Sequence, residues 1–137
     1  MNISILSAGT WGTALAKVLS TNHSVNIWSK SESEVQKLDS SRVHRNLPGV
    51  RIPDNIVFTS DFEQAVINAD VIIIATPSVF VRSTAEKLKP IIKNHQIVVC
   101  VSKGIEQETL YTMSEVIKDV LGEKNSIVVL SGPTHAE

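Results

Sequence analysis

The chain is poor in cysteine and aromatic residues and carries no bias of charge. Of its 137 residues, 4% are aromatic, one is cysteine, and the formal net charge is −1. That near-neutral balance removes the electrostatic case for nucleic acid or an anionic membrane surface as a partner. Charges of both signs are scattered, with neither a basic tail nor an acidic block. No apolar run approaches the roughly 20 residues of a membrane span, so membrane insertion is not expected. The first strand pattern begins almost at Met1, so no signal peptide is expected. Cys100 lies in the apolar run Ile97-Val98-Val99-Cys100-Val101 and has no partner for an internal disulfide. It reads as a small buried hydrophobe rather than a reactive thiol, and a reducing, cytoplasmic setting is expected. His23, His44, His95 and His135 lack ligand spacing, and no C-x-x-C or H-E-x-x-H is present, so no metal is expected.

What the chain does have is a globular balance, with 42% hydrophobic and 20% charged residues. Its length fits one domain around one core. The most informative stretch is Ile3-Ser4-Ile5-Leu6-Ser7-Ala8-Gly9-Thr10-Trp11-Gly12-Thr13-Ala14-Leu15-Ala16. An apolar run breaks into small residues and then into a helical pattern. Ser7 stands at the first glycine position of G-x-G-x-x-G, and Gly9 and Gly12 hold the other two. Gly9 leaves the backbone open to a pyrophosphate, and Gly12 lets the helix pack close to the strand. A helix N-terminus adds unpaired amides and a positive dipole end. Read alone, this is either a phosphate cradle or an ordinary tight strand-to-helix turn.

Apolar runs then alternate with helical patterns along the chain. Strands are expected over residues 3–6, 25–28, 56–58, 71–75, 97–101 and 127–130. Helices are expected over residues 11–20, 31–38, 60–68, 79–88 and 109–121. The first helix shows Trp11, Leu15, Val18 and Leu19 on one face. Ser31 with Glu34, and Ser60 with Glu63, have capping-box spacing. Residues 39–55, broken by Pro48, Gly49 and Pro53, read as loop with room for a short helical piece. The runs at 71–75 and 97–101 lack polar alternation, so both faces of each strand are expected to be covered. The alternation predicts an α/β fold: a Rossmann-like, doubly wound, mainly parallel sheet in a single domain.

In such a sheet, ligands bind beyond the carboxyl ends of the strands, so the residues that follow each strand matter most. After the second strand no acidic residue awaits a ribose. Lys30 stands there instead, either as a cation for the extra phosphate of NADP or as a solvated lysine. Phe80 fits either the adenosine side of a cofactor or the core. Lys103, at the end of the fifth strand and followed by Gly104, fits either a phosphate or oxygen contact or the surface. Gly132, Pro133 and Thr134 follow the last strand, and His135 lies close by. Glu106 and Glu108 read as a solvated pair, and Asp70 stands at the wrong end of the sheet.

Together these segments are more specific than the glycines alone. The chain resembles the N-terminal half of bacterial NAD(P)-dependent glycerol-3-phosphate dehydrogenase. The resemblance runs through Gly9 to Ala16, Val25 to Trp28, Ala69 to Ser78, Ser102 to Glu106 and Ser131 to Glu137, in the family's order and across the whole chain. It implies a dinucleotide-binding domain over residues 1–137, the N-terminal part of a longer two-domain enzyme whose helical C-terminal domain is absent here. It implies NADP or NAD as cofactor and interconversion of dihydroxyacetone phosphate with sn-glycerol 3-phosphate. Gly9, Thr10, Trp11, Gly12, Lys30, Lys103 and Ala136 match cofactor positions, and Phe80 matches one in some relatives. Lys103, Gly132 and Thr134 match substrate positions. The general base is expected beyond residue 137, so the segment alone is expected to be inactive.

Ser7 departs from the family, which has glycine there. If that position requires positive φ, the serine costs on the order of 1–2 kcal/mol. A non-catalytic dinucleotide-binding module and the cofactor domain of a β-hydroxyacid dehydrogenase remain alternatives. Apolar surface near the last strand is expected to favour a homo-oligomer.

Overall fold

The computed structural model describes residues 1–132. Six strands, β1 (Asn2–Leu6), β2 (Ser24–Trp28), β3 (Ile56–Thr59), β4 (Val71–Ile74), β5 (Ile97–Cys100) and β6 (Ile127–Val129), form one sheet in the order β3-β2-β1-β4-β5-β6. Every neighbouring pair is parallel. The helices are α1 (Thr10–Leu19), α2 (Glu32–Ser41), α3 (Phe62–Val66), α4 (Val81–Leu88) and α5 (Met113–Leu121). The expected Rossmann-like sheet is therefore present, and strand order reverses between β1 and β4.

Two apolar layers cover the sheet. On one face Ile3, Ile5, Val25, Ile27 and Ile56 pack with Ala16 of α1 and Leu38 of α2. On the other, Leu6, Trp28, Ile72, Ile74, Val98 and Cys100 pack with α3, α4 and α5. In β4, Ile72 and Ile74 serve one layer and Val71 and Ile73 the other, which is why that run carries no polar alternation. β5 is covered less than expected: Val98 and Cys100 are buried, but Ile97 is 39% exposed. Near the sheet edge, Val128, Val129 and Leu130 are each about half exposed.

The α1 face differs from the sequence expectation. Gly12, Thr13 and Ala16 are buried, while Trp11 is 49% and Val18 71% exposed. The cause is the close approach of helix to strand. A Cβ on Gly12 would lie 2.3 Å from the Ser7 carbonyl oxygen and 3.3 Å from Ile5 Cγ2. Only small residues fit such a seam, so Trp11 and Val18 turn outward, while Leu15 and Leu19, as expected, pack against the margin of the core.

Two helix starts also differ. Asp61, not Ser60, caps α3, its carboxylate accepting from the Gln64 amide, while the Ser60 carbonyl accepts from Trp28 Nε1. A carboxylate at a helix N-terminus gains from the helix dipole as well as from a charge-assisted hydrogen bond. Helix α5 starts at Met113 behind a Thr112–Glu115 capping box, four residues later than expected. Leu110, at φ 61°, breaks the chain just before it. A single 3₁₀ turn, Ser78–Phe80, precedes α4. The Ser31 cap of α2 is as expected, with Ser31 Oγ accepting from the Glu34 amide.

Ser7 has φ 137°, a conformation glycine adopts freely and L side chains rarely do. Ser7→Gly is expected to stabilise the chain by about 1–3 kcal/mol by relieving that strain. Gly12→Ala, which drives a methyl group into a backbone carbonyl, is expected to destabilise it by about 3 kcal/mol. Urea unfolding curves at neutral pH measure both.

Candidate functional site

At the carboxyl end of β1 the chain turns through Ser7, Ala8 and Gly9 into α1. The Ser7 amide donates to the Trp28 carbonyl at 3.1 Å and extends the β1–β2 ladder by one residue. Gly9 is the N-cap residue and supplies no side-chain cap, and the first turn has no acidic residue. The amides of Thr10, Trp11 and Gly12 donate to no acceptor among the described residues; the first intrahelical bond is Thr13 to Gly9 at 2.9 Å. Three open amides and the positive end of a helix dipole thus face the point where strand order reverses. Asn46 Nδ2 donates to Thr10 Oγ1 at 3.1 Å and ties the 43–51 loop to this turn. The Ser7 hydroxyl accepts from the Gly9 amide at 3.3 Å and so engages one donor that a glycine would leave open.

Beside this turn lies a cavity of about 380 Å³ between the end of β2 and the start of α4. Ser7, Ala8, Lys30, Glu34, Thr76 and Phe80 are among the residues that line it. Phe80 is 48% exposed, so it faces the cavity rather than the core. The Lys30 ammonium stands 5.2 Å from the Phe80 ring centroid. Thr76 Oγ1 is buried and has no hydrogen-bond partner among the described residues. A buried hydroxyl without a partner is costly, and a polar ligand in the cavity would satisfy it. The open amides, that hydroxyl and the nearby cation together fit a dinucleotide. A smaller hollow of about 190 Å³ near Asn2 and Ser24 lies at the amino ends of the strands. That end of an open parallel sheet is not where ligands bind.

Glu34 was missed by strand-end reasoning. One turn of α2 carries it back to the end of β2, where its Oε2 accepts from Ser29 Oγ at 2.5 Å. The strand-end region therefore holds a carboxylate as well as Lys30. The Ser31–Glu34 spacing was its only local signal, and it reads equally as a cap.

Across the edge of the sheet, Lys103 Nζ donates to the Gly132 carbonyl at 2.9 Å. Two positions expected to meet the same ligand are thus in contact. Gly104, at φ 145°, makes the sharp exit from β5; a Cβ there would lie 2.8 Å from Ser78 Cβ. Thr134, His135 and Ala136 lie outside the described residues. Glu106 is not solvated but clamped. Arg82 of α4 binds both its carboxylate oxygens at 2.8 Å and reaches Asp119 of α5 at 2.8 Å. Thr109 adds a hydroxyl donor at 2.6 Å. These bonds, led by the Arg82 guanidinium, hold the Glu106 carboxyl down to about 2. The clamp fixes the segment that follows Lys103 against two helices. Burial pushes the Cys100 thiol up, in keeping with a packing role. No group of His, Cys, Asp and Glu that could hold a metal occurs among the described residues, and none of their helices is long and apolar enough to cross a membrane.

A parallel sheet in this order, with an open helix N-terminus where the order reverses, defines a Rossmann-like domain of the dinucleotide-binding class. The model for the N-terminus of NAD-dependent glycerol-3-phosphate dehydrogenase matches residues 2–137, and the chain belongs to that family. It is 49% identical over 137 residues to a glycerol-3-phosphate dehydrogenase [NAD(P)+] of Agathobacter rectalis, covering 98% of this chain and 40% of that protein. It is 48% identical over 141 residues to a second such protein, from Lactobacillus delbrueckii subsp. bulgaricus, covering 98% of this chain and 42% of that one. The crystal structure of glycerol-3-phosphate dehydrogenase from Coxiella burnetii superposes with a TM-score of 0.88 at 29% identity, over 96% of this chain and 41% of that one. The chain spans about two fifths of the length of these relatives.

The clamp makes a pH prediction. Glu106 has a folded value near 2 against an ordinary 4.5, so its stabilising effect is complete above 4.5 and disappears as pH falls from there towards 2. Glu106→Gln is expected to lower stability at pH 7 and to flatten the loss of stability across that acid window. Unfolding midpoints measured from pH 7 to pH 2 test this.

Proposed function

We propose that residues 1–137 form the N-terminal, coenzyme-binding part of a longer two-domain glycerol-3-phosphate dehydrogenase. Its reaction is the interconversion of dihydroxyacetone phosphate and sn-glycerol 3-phosphate, at the entry to glycerophospholipid synthesis. The cofactor is NADP or NAD. The observation that carries this reading is the open N-terminus of α1 at the reversal of strand order, within a chain of this family.

Gly9, Thr10, Trp11 and Gly12 hold the pyrophosphate, the amides of α1 donating to its oxygens. Lys30 and Phe80 flank the adenosine, with Thr76 Oγ1 as a further polar contact. When bound, the reduced nicotinamide supplies the hydride that converts the keto carbon to an alcohol. Lys103 orients the substrate from the opposite wall. Its ammonium already engages one carbonyl, of Gly132, and charge-assisted bonds of this kind suit a phosphate or carbonyl oxygen. Gly132 and Thr134 complete that wall, and Ala136 adds a cofactor contact. The general base and most of the substrate's phosphate site belong to a second domain. The enzyme works in the cytoplasm, and the half-exposed Val128, Val129 and Leu130 favour burial against another chain or domain.

Calorimetric titration of the 137-residue chain is expected to show NADPH binding at least as tightly as NADH. Ser7→Gly opens the Gly9 amide, a bond of about 1 kcal/mol, and is expected to tighten NADPH roughly fivefold. No steady NADPH oxidation is expected with dihydroxyacetone phosphate. Absence of dinucleotide binding, even by the Ser7→Gly variant, would overturn the coenzyme assignment.

A further inference from the structure

Two lysines line the cavity beside β2, one from each wall. Lys30, just past β2, lies over Phe80 at the start of α4, 5.2 Å from the ring centroid. Lys87, on α4, lies over Trp28 at the end of β2, 5.7 Å from the ring centroid. Both line the cavity. The arrangement is reciprocal: each wall's cation rests on the other wall's aromatic ring. Neither ammonium has a carboxylate within 4.0 Å among the described residues, although six other ion pairs form there. A ring face holds a cation in place without neutralising it. Both lysines therefore keep their charge for an anion.

Glu34 is the one acidic residue lining this cavity, and its carboxylate is turned to Ser29 Oγ. Two positive groups against one negative one favour an anionic ligand. The carboxylate also offers an acceptor for the hydroxyls of an unmodified ribose. The open amides of α1 lie at the other side of Ser7, so the pyrophosphate has its own donors and does not need these lysines.

We propose that Lys87 is a second specificity-determining residue of this site, which acts with Lys30 to recognise adenosine bearing a 2′-phosphate, and that Glu34 opposes them by retaining the unphosphorylated ribose. This rests on reading the cavity as the adenosine site. Lys87 is exposed on α4, outside both apolar layers, so its substitution leaves the core intact.

The test uses adenosine 5′-phosphate and 2′-phosphoadenosine 5′-phosphate, which differ only by the group in question, titrated into the 137-residue chain at low salt. The chain is expected to prefer the 2′-phosphorylated nucleotide about tenfold, the equivalent of about 1.4 kcal/mol. Lys87→Ala is expected to cut that preference about fivefold while adenosine 5′-phosphate binds within about twofold of the parent, since a charge-assisted phosphate bond is lost and the rest of the site remains. Lys87→Arg should keep the preference, Glu34→Gln should enlarge it, and added salt should erode it. Equal weakening of both nucleotides by Lys87→Ala, or an unchanged ratio, overturns the proposal and leaves the coenzyme assignment standing. Failure to bind either nucleotide while NADPH still binds overturns this proposal alone; absence of NADPH binding as well, even by the Ser7→Gly variant, overturns both.

Discussion

The structure turns on one close approach, that of α1 to the end of β1. Gly12 lies where any side chain would meet the Ser7 carbonyl. That contact sets the distance between helix and sheet, and so decides which residues of α1 face inward. It also aims the helix N-terminus along the switch between β1 and β4, so that the three unsatisfied amides open onto the crevice. Were the helix held away by a methyl group, the amides would point elsewhere. Packing and ligand chemistry thus share one atom-scale constraint.

The rest of the carboxyl edge is built by pairwise ties between neighbouring loops. Lys103 reaches Gly132 across the β5 and β6 ends, and the Ser102 hydroxyl donates to the Thr76 carbonyl across the β4 and β5 ends. Arg82 and Glu106 brace the Lys103 segment from the side, with both partners partly shielded from water. The bidentate geometry and the third contact to Asp119 distinguish this network from an isolated surface pair, which contributes little. At the amino edge, Gln96 plays a comparable part. Its buried side chain donates to the Val66 and Ala69 carbonyls and accepts from the Lys93 amide. The sheet is therefore fixed at both ends by polar groups, between which the two apolar layers make the core.

The strands, their parallel order and the glycine turn were legible because they are local: apolar runs, breakers and small residues within a few positions of one another. Half of the α1 face, Leu15 and Leu19, was legible; the other half was not, because periodicity gives weight to large apolar side chains, whereas a tight helix–strand seam selects small ones. Trp11 and Val18 are the outcome. Glu34 was hidden because strand-end reasoning looks along the sequence, and a helix turn returns a side chain to where it began. Phe80 fits core and cavity equally by sequence; its half-exposed ring under Lys30 is a tertiary feature with no local signal. Arg82 and Glu106 carry no local signature at all. They stand 24 positions apart, and only the crossover between β4 and β5 brings them together.

At Ser7, local preference and fold disagree. Its φ of 137° is a glycine conformation, and its hydroxyl bond to the Gly9 amide does not offset the whole strain. The conformation persists because it is over-determined. On one side the Ser7 amide is held by the Trp28 carbonyl as an extension of the sheet; on the other its carbonyl is pressed against Gly12. To relax φ, the chain would have to give up a ladder bond or lift α1 from the strand. The serine therefore leaves the fold intact. Its cost falls instead on the turn, where its hydroxyl engages an amide that a phosphate would otherwise use.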